Sequence, residues 1–327
     1  MVVTVQDHEI TILTPEQLPG IIELVAERYE PPYTTNDFWN WRYLLNPQWD
    51  VRIYGIVDSS GRVLAIQPVS IVPFRQGESR FRAGLLTAAI TSSACQRRGY
   101  FRSLVMRIVH DLQVEGVRFL YTFPNPLSSR GFARFPGWLR QTELKITGRP
   151  LLPFVGRAPE RGVLVQRFTD DFAGIHDLAR DVTKGFTSCA TIERSPEYLR
   201  WRYAQNCTAD YWIAHYRGDD GCGYALFRKS AFKKVPVGAV VEFESTSSGV
   251  SDKLIRSVTG QLSRLGCLMA LRFVSQVDPH GESFKKALFC SLPPQLLRRE
   301  LPVYVYPLAE NQLPAEWRIT WGDMDTI

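Results

Sequence analysis

Apolar residues recur along the chain in two rhythms. Alternating or unbroken apolar runs predict strands at 10–14, 52–58, 62–73, about 81–92, 117–123 and near 139–147. Between them, the pattern predicts a helix over about 15–29 and a second, short one over about 35–45. After the turn QRRGYF, residues Phe101, Leu104, Val105, Ile108, Val109 and Leu112 fall at helical spacing, and Gly116 closes that helix. A further helix is expected from about Ser128 to Phe135. The opening MVVTVQDHEITIL reads as a strand; it has neither the cationic start nor the long apolar run of a signal peptide.

The same order returns later in the chain. Phe38-Trp39-Asn40-Trp41-Arg42-Tyr43 is echoed by Tyr198-Leu199-Arg200-Trp201-Arg202-Tyr203, 160 residues on. At that offset the hairpin pattern of 51–69 overlays 211–229, matching Gly61 to Gly221. Further on the offset becomes 150, and Gly99, Leu104, Leu112 and Gly116 meet Gly249, Leu254, Leu262 and Gly266. Ahead of the WRY motif, ITILTPEQLPGIIELVAERY resembles VLVQRFTDDFAGIHDLARDV. Four matches in one order read as a tandem duplication. The second copy runs through 164–307, and EWRITW (316–321) supplies a closing strand. The expected architecture is α/β, a mixed twisted sheet with helices on both faces, built once in 1–155 and again in 162–327. The joint lies near 156–162, beside Pro153, Pro159 and Gly162.

Composition narrows the class. Of the 327 residues 45% are hydrophobic and 22% charged, which excludes disordered and collagen-like chains. No run reaches the roughly 18 to 20 apolar residues of a membrane span. Lys and Arg exceed Asp and Glu by 6, a surplus that suits a small anionic ligand and does not argue for nucleic acid. The six cysteines form no CxxC pair, so reduced cytosolic thiols are expected and no metal site.

The basic residues are densest at Arg97, Arg98 and Arg102, beside Gln96, in the turn that follows LLTAAIT. A strand entering a turn whose glycine opens a helix presents consecutive backbone N–H groups with the helix dipole behind them, an anion cradle. Gly99 would let a phosphate approach the backbone closely. The turn by itself reads equally as an ordinary strand-to-helix connection with a solvated basic face.

Its setting adds to this. The strand, Q-R-R-G-Y-F, helix, strand and Pro124-Asn125 in succession resemble the GCN5-related N-acetyltransferase (GNAT) superfamily. That family's signature is Arg or Gln, two variable residues, Gly, one variable residue, then Gly or Ala; here Gln96 and Gly99 match and Phe101 replaces the small residue. The resemblance implies acetyl-CoA as co-substrate. Main-chain groups of Gln96, Arg97, Arg98, Gly99, Tyr100, Phe101 and Arg102 would hold the pyrophosphate, and Ala89, Ile90 and Thr91 would face the pantetheine. Asn125 and Ser128 would hydrogen-bond the pantetheine from across the splayed strands, and the same two are tentative catalytic residues. Asn125 reads otherwise as a helix cap before Pro126. The family's usual proton-donating Tyr falls on Phe132, which has no proton to give.

The second copy carries Thr246-Ser247-Ser248-Gly249-Val250-Ser251 in place of the basic turn, with Glu242 and Glu244 just upstream, so it is expected not to bind CoA. Those carboxylates read as a solvated strand face or a salt bridge, with Glu242 also a tentative acceptor contact. The WRY motifs recur in both copies and read as packing, their arginines paired with carboxylates; Tyr33 and Trp41 lie where an acceptor wall is expected. His110 reads as a surface helix residue, and Cys95 lacks a partner histidine.

The leading expectation is a cytoplasmic, acetyl-CoA-dependent N-acyltransferase acting on a small primary amine, such as an amino sugar or surface-polysaccharide precursor. Two alternatives stand beside it. One is a Fem-type aminoacyl-tRNA-dependent transferase, which would need a wider basic groove; the other is a non-catalytic acyl-CoA-binding module. Acyl length, acceptor and oligomeric state have no signal in the sequence.

Overall fold

The computed structural model describes residues 4–5, 8–47, 49–170, 172, 174, 189–292, 301–309 and 313–324. The N-terminal copy runs β1 (Thr4–Val5), β2 (His8–Ile12), α1 (Leu18–Ala26), α2 (Asn36–Trp39), β3 (Asp50–Val57), β4 (Val63–Gln76), β5 (Ser79–Leu86) and β6 (Ile90–Thr91). It continues with α3 (Tyr100–Val114), β7 (Phe119–Thr122), α4 (Pro126–Arg134), β8 (Leu139–Glu143) and β9 (Lys145–Pro150). The second copy holds β10 (Leu164–Arg167), β11 (Ala190–Ile192), α5 (Pro196–Leu199), β12 (Trp212–Gly218), β13 (Gly221–Phe232) and β14 (Val235–Ser245). After these come α6 (Ser248–Arg264), β15 (Met269–Val274), α7 (Gly281–Lys286), β16 (Cys290–Ser291), β17 (Pro302–Pro307) and β18 (Trp317–Arg318).

The chain divides into two compact units. The first holds 1–74, 80–141 and 302–313, and the second 75–79, 142–301 and 314–327. In the first, the strands run β1-β2-β3-β4-β5-β7-β17. β5 and β7 are parallel, from Ala83↔Phe119 to Leu86↔Thr122, whereas β1–β2, β2–β3, β3–β4 and β7–β17 are antiparallel. Alternation along β3 explains why helices cover both faces. Tyr54 and Ile56 join the cluster under α3, with Leu104, Val105, Ile108 and Leu112, while Ile53 joins Leu18, Ile21, Leu24, Phe38 and Trp39 of α1 and α2. Each fully buried large apolar side chain contributes roughly 1.5–3 kcal/mol.

The second unit repeats the plan, in the order β10-β12-β13-β14-β15-β9-β16, with β14 and β15 parallel from Val237↔Met269 to Val240↔Arg272. Leu254, Ile255, Val258 and Leu262 of α6 take the places of Leu104, Val105, Ile108 and Leu112. Both helices end alike: Val117 N–H bonds to Leu112 O and Gly116 N–H to Gln113 O, as Cys267 bonds to Leu262 and Gly266 to Ser263. Gly116 and Gly266 supply the left-handed backbone this closure requires, at φ +71° and +78°.

Five expected elements differ from those observed. The helix expected over 15–29 is a 3₁₀ turn at Pro15–Gln17 followed by α1, which ends at Ala26. The one over 35–45 is a single α-turn that widens into a π-helical turn, Asn40–Leu44, and α5 widens in the same way into Arg200–Ala204. The strand over 81–92 breaks after Leu86: Ala88 takes a left-handed φ of +44°, and Ile90–Thr91 pair with β4. The strand near 139–147 splits into β8 and β9, and β9 pairs with β15 in the second unit. The closing strand shortens to Trp317–Arg318, parallel to β11. Most of the second-copy segment matched to α1 lies outside the described residues.

Candidate active site

The turn from β6 to α3 is built from Ser92 onward. Ser93–Cys95 form one 3₁₀ turn, with the Cys95 side chain buried in the core under α3. The chain then leaves the protein surface: Gln96, Arg97, Arg98 and Gly99 are all exposed. Arg97 and Gly99 adopt left-handed backbone, φ +63° and +80°, on either side of Arg98. Left-handed residues interspersed in this way turn successive N–H groups toward one side, the geometry of an anion-binding concavity. Among the described residues, no protein group accepts from the N–H groups of 96–102, and no side chain caps α3. A Cβ built on Gly99 meets nothing within 4 Å, so the space before these amides is open. Tyr100 is buried, Phe101 packs edge-to-face on Phe132 at 5.3 Å, and the Arg102 guanidinium lies 5.7 Å over the Phe135 ring.

The second copy differs at this place. Ser247 caps α6, its Oγ accepting from Val250 N–H at 3.3 Å and its carbonyl accepting from Ser251 N–H at 2.9 Å. The amides that would face an anion are therefore partly satisfied by the chain itself. Coulomb repulsion from Glu242 and Glu244 is not the obstacle, because both are buried and paired. Glu242 lies 3.3 Å from Arg194 Nε and accepts from the Tyr203 hydroxyl at 2.6 Å, and Glu244 binds Arg318. Of the readings the sequence left open for these two carboxylates, the solvated strand face gives way to the salt bridge. Arg202 of the WRY motif donates to the main-chain carbonyls of Gly322 and Met324.

In the first unit, the β5–β7 pairing ends at Leu86 and Thr122, and the chain passes from buried Thr87 to exposed Ala89. The opening is pinned from several sides. Gln67 Nε2 donates to Thr87 O at 2.8 Å, Thr122 Oγ1 donates to Leu86 O at 3.0 Å, and the hydroxyls of Tyr43 and Thr87 are 3.3 Å apart. Ala89 is exposed; Ile90 and Thr91 turn one edge to β4, and Thr91 O accepts from Arg28 at 3.3 Å. Asn125 is the N-cap of α4, its Oδ1 accepting from Ser128 N–H at 2.9 Å and lying 3.2 Å from Ser128 Oγ, so these two residues contact each other. Phe132 is buried, wedged between Phe101 and Trp138. Tyr33 and Trp41 meet Phe38 edge-on and tilted, at 5.2 and 6.0 Å, which places both in one aromatic cluster.

One polar group near the turn carried no sequence signal. Glu27, at the C-terminal end of α1, accepts from Ser92 Oγ at 2.8 Å and from Ser93 N–H at 2.7 Å, with Arg62 3.9 Å away. The Ser93 N–H chiefly holds its carboxyl below the usual range. Nothing local to AERYE marks this contact, because it closes a loop of some sixty residues.

Comparison with known proteins agrees with this arrangement. Residues 9–140 match the acetyltransferase (GNAT) domain family. A GCN5-related N-acetyltransferase from Anabaena variabilis superposes with a TM-score of 0.66 at 11% identity, over 92% of this chain and 73% of that one. A probable N-acyltransferase of unknown function from Enterococcus faecalis gives 0.66 at 14%, over 92% and 72%. The Saccharomyces cerevisiae N-myristoyltransferase solved with bound myristoyl-CoA gives 0.62 at 11%, over 100% and 86%. No curated protein matches the sequence significantly. The match to the acetyltransferase (GNAT) domain thus falls on the N-terminal copy, and the likeness to the solved structures shows a GNAT-like fold along most of the chain. No helix among the described residues is long and apolar enough to cross a membrane.

Proposed function

We propose that this protein is an acyl-CoA-dependent N-acyltransferase whose N-terminal copy binds the donor, acetyl-CoA in the simplest case, and passes the acyl group directly to a primary amine. The observation that carries the reading is the run of unengaged N–H groups from Gln96 to Arg102, exposed over Gln96–Gly99, at the start of a 15-residue helix. A diphosphate laid against it gains those hydrogen bonds, the dipole of α3 and the charges of Arg97 and Arg98. The parting of β5 and β7 next to it gives the pantetheine arm a route along Ala89, with Asn125 and Ser128 on the facing segment. The amine nitrogen then attacks the thioester carbonyl carbon; the C–N bond forms, the C–S bond breaks, and its electron pair leaves on sulfur. The nitrogen gives up a proton and the thiolate takes one. Tyr33 and Trp41 border the acceptor, for which an amino sugar suits the aromatic wall. The yeast neighbour was solved with an acyl-CoA, which supports this donor class.

Calorimetric titration with acetyl-CoA tests the reading. Micromolar binding is expected, and Gly99→Val should weaken it at least tenfold, because its side chain projects into the space a phosphate needs. Absence of binding, or equal binding by the variant, removes the proposal. Binding without CoA release across a broad panel of amines would select the non-catalytic module instead, a reading favoured by the missing hydroxyl at Phe132.

A further inference from the structure

Three segments meet at one end of the second unit's sheet. The β13–β14 hairpin turns between Phe232 and Val235, and Leu268 N–H, just before β15, donates to Pro236 O at 2.9 Å. Leu151 N–H, just past β9, donates in turn to Leu268 O at 2.9 Å. The chain then crosses the C-terminal end of α6, where Phe154 N–H donates to Ser263 O at 2.7 Å and a Cβ on Gly266 would stand 2.7 Å from the Phe154 ring. Large apolar side chains project from all three segments. Leu152, Phe154 and Val155 are 75%, 76% and 67% exposed, and Phe232, Val235 and Leu268 are exposed as well. A lone apolar side chain on a surface is ordinary, but six gathered at one sheet end mark an interaction surface. Side chains this exposed protrude and do not line a groove.

The charge around them has one sign. Residues 149–159, 228–237 and 261–271 together carry seven Arg and Lys and no Asp or Glu. Lys229 Nζ donates to Leu265 O at 2.9 Å and Arg264 donates to Gln261 Oε1 at 2.7 Å, bonds that neutralise neither charge. Lys233 and Lys234 form the exposed hairpin tip, both in left-handed backbone at φ +50° and +69°, and Phe154 has φ +65°. A two-residue hairpin turn of this kind favours Asn-Gly, and a bulky aromatic seldom takes such a backbone. Neither local propensity nor the core therefore asks for two lysines and an exposed Phe at these places, which is the pattern of residues held under strain for a function.

We infer that this end of the second unit docks on an anionic lipid surface. Leu152, Phe154 and Val155 enter the headgroup boundary, and Lys229, Lys234 and Arg264 lie against the lipid phosphates. A second copy of the chain fits this surface poorly, because a two-fold contact through it would set like charges against each other with no carboxylate between them. None of these residues belongs to the turn after β6, so the lipid surface and the acyl donor stand or fall separately.

Co-sedimentation of the full chain with vesicles tests this. Binding is expected to phosphatidylcholine vesicles containing about 30% phosphatidylglycerol, and to fall at least tenfold with phosphatidylcholine alone or as salt rises from about 0.05 to 0.5 M. Lys233→Glu combined with Lys234→Glu should weaken it at least tenfold. Phe154→Ser, on a separate segment, should weaken it at least threefold. Lys145→Glu, exposed at the other end of β9, should leave it within twofold. All of these positions are exposed, so unchanged urea midpoints are expected and a loss of binding is not a loss of fold. No binding by the native chain, binding untouched by the hairpin and Phe154 variants, or an equal loss in Lys145→Glu overturns the inference. Self-association of the native chain that Phe154→Ser abolishes, in place of vesicle binding, overturns it too and gives the surface to a second copy.

Discussion

Arg97 occupies left-handed backbone, φ +63°, where a side chain costs roughly 1 kcal/mol that glycine would not incur. Arg97→Gly exchanges that strain for a more flexible unfolded chain, and the two effects nearly cancel. Urea denaturation should show a change within about 1 kcal/mol, while acetyl-CoA binding falls about threefold with the lost charge. Phe132 invites the opposite experiment. Phe132→Tyr restores the family's hydroxyl, but into a core of Phe101, Trp138 and Tyr304 at a position 3% exposed. An unsatisfied hydroxyl there costs about 1–3 kcal/mol. Thermal denaturation should therefore drop by several degrees with no gain in CoA release. The difference in legibility follows from locality. Gly99 was readable because glycine in a strand-to-helix turn has a local meaning, and the capping alternative for Asn125 was readable because Pro126 and Ser128 lie beside it. Glu27 acts on residues more than sixty positions away and had no such signature.

At the scale of elements, the duplication survives in details that no apolar pattern encodes. Thr35 and Ser195, 160 residues apart, cap the two WRY helices by accepting from Phe38 and Tyr198 N–H groups. Each helix then widens into a π turn closed by the same bond, Leu45 N–H to Asn40 O and Gln205 N–H to Arg200 O. The spacing of apolar residues distinguishes helix from strand, but it cannot separate an α-turn from a π-turn over five residues. The joint between copies shows where packing overrides propensity. In the middle of α6, Gly260 replaced by Ala would ordinarily gain about 1 kcal/mol of helix stability. Here a Cβ would stand 2.6 Å from the carbonyl oxygen of Arg157, and a Cβ on Gly156 would stand 1.9 Å from that of Gly260. Both neighbours are main chain and cannot swing aside. Gly260→Ala is thus expected to destabilise the protein by about 2 kcal/mol or more in urea titrations, reversing the sign that helix propensity alone gives.

For the whole molecule, the element order could be read from sequence because each element is local. The membership of each unit could not, because β17 pairs with β7 and β9 with β15 across long stretches of chain. The charges of the second unit were misread in part for the same reason. Arg318 and Asp323, from the last stretch of the chain, meet Glu244 and Arg194, and a Cβ on Gly322 would overlap the Tyr203 hydroxyl. Glu242 and Glu244 sit two residues apart on β14, are nearly equally buried, and respond to burial with opposite results. Burial pushes Glu242 up, and Arg194, which it shares with Asp323, together with the Tyr203 hydroxyl does not bring it back. Burial also pushes Glu244 up, but Arg318 and His280 outweigh it and hold the carboxyl below its usual range. A carboxyl lowered on folding adds stability above the ordinary carboxylate range and loses it as pH falls through the folded value; a raised one loses stability as pH climbs. At pH 7 Glu244→Gln leaves Arg318 buried against a neutral partner and should cost about 3–5 kcal/mol. Glu242→Gln removes a carboxyl whose ionised form folding disfavours and should cost clearly less. As pH drops below the carboxylate range, the Glu244→Gln deficit should narrow, because the native side chain is then protonated too. Urea denaturation of both variants from pH 7 down to well below the ordinary carboxylate range checks this: equal deficits at pH 7, or a Glu244→Gln deficit that widens in acid, would show that the arginines stabilise the other carboxylate.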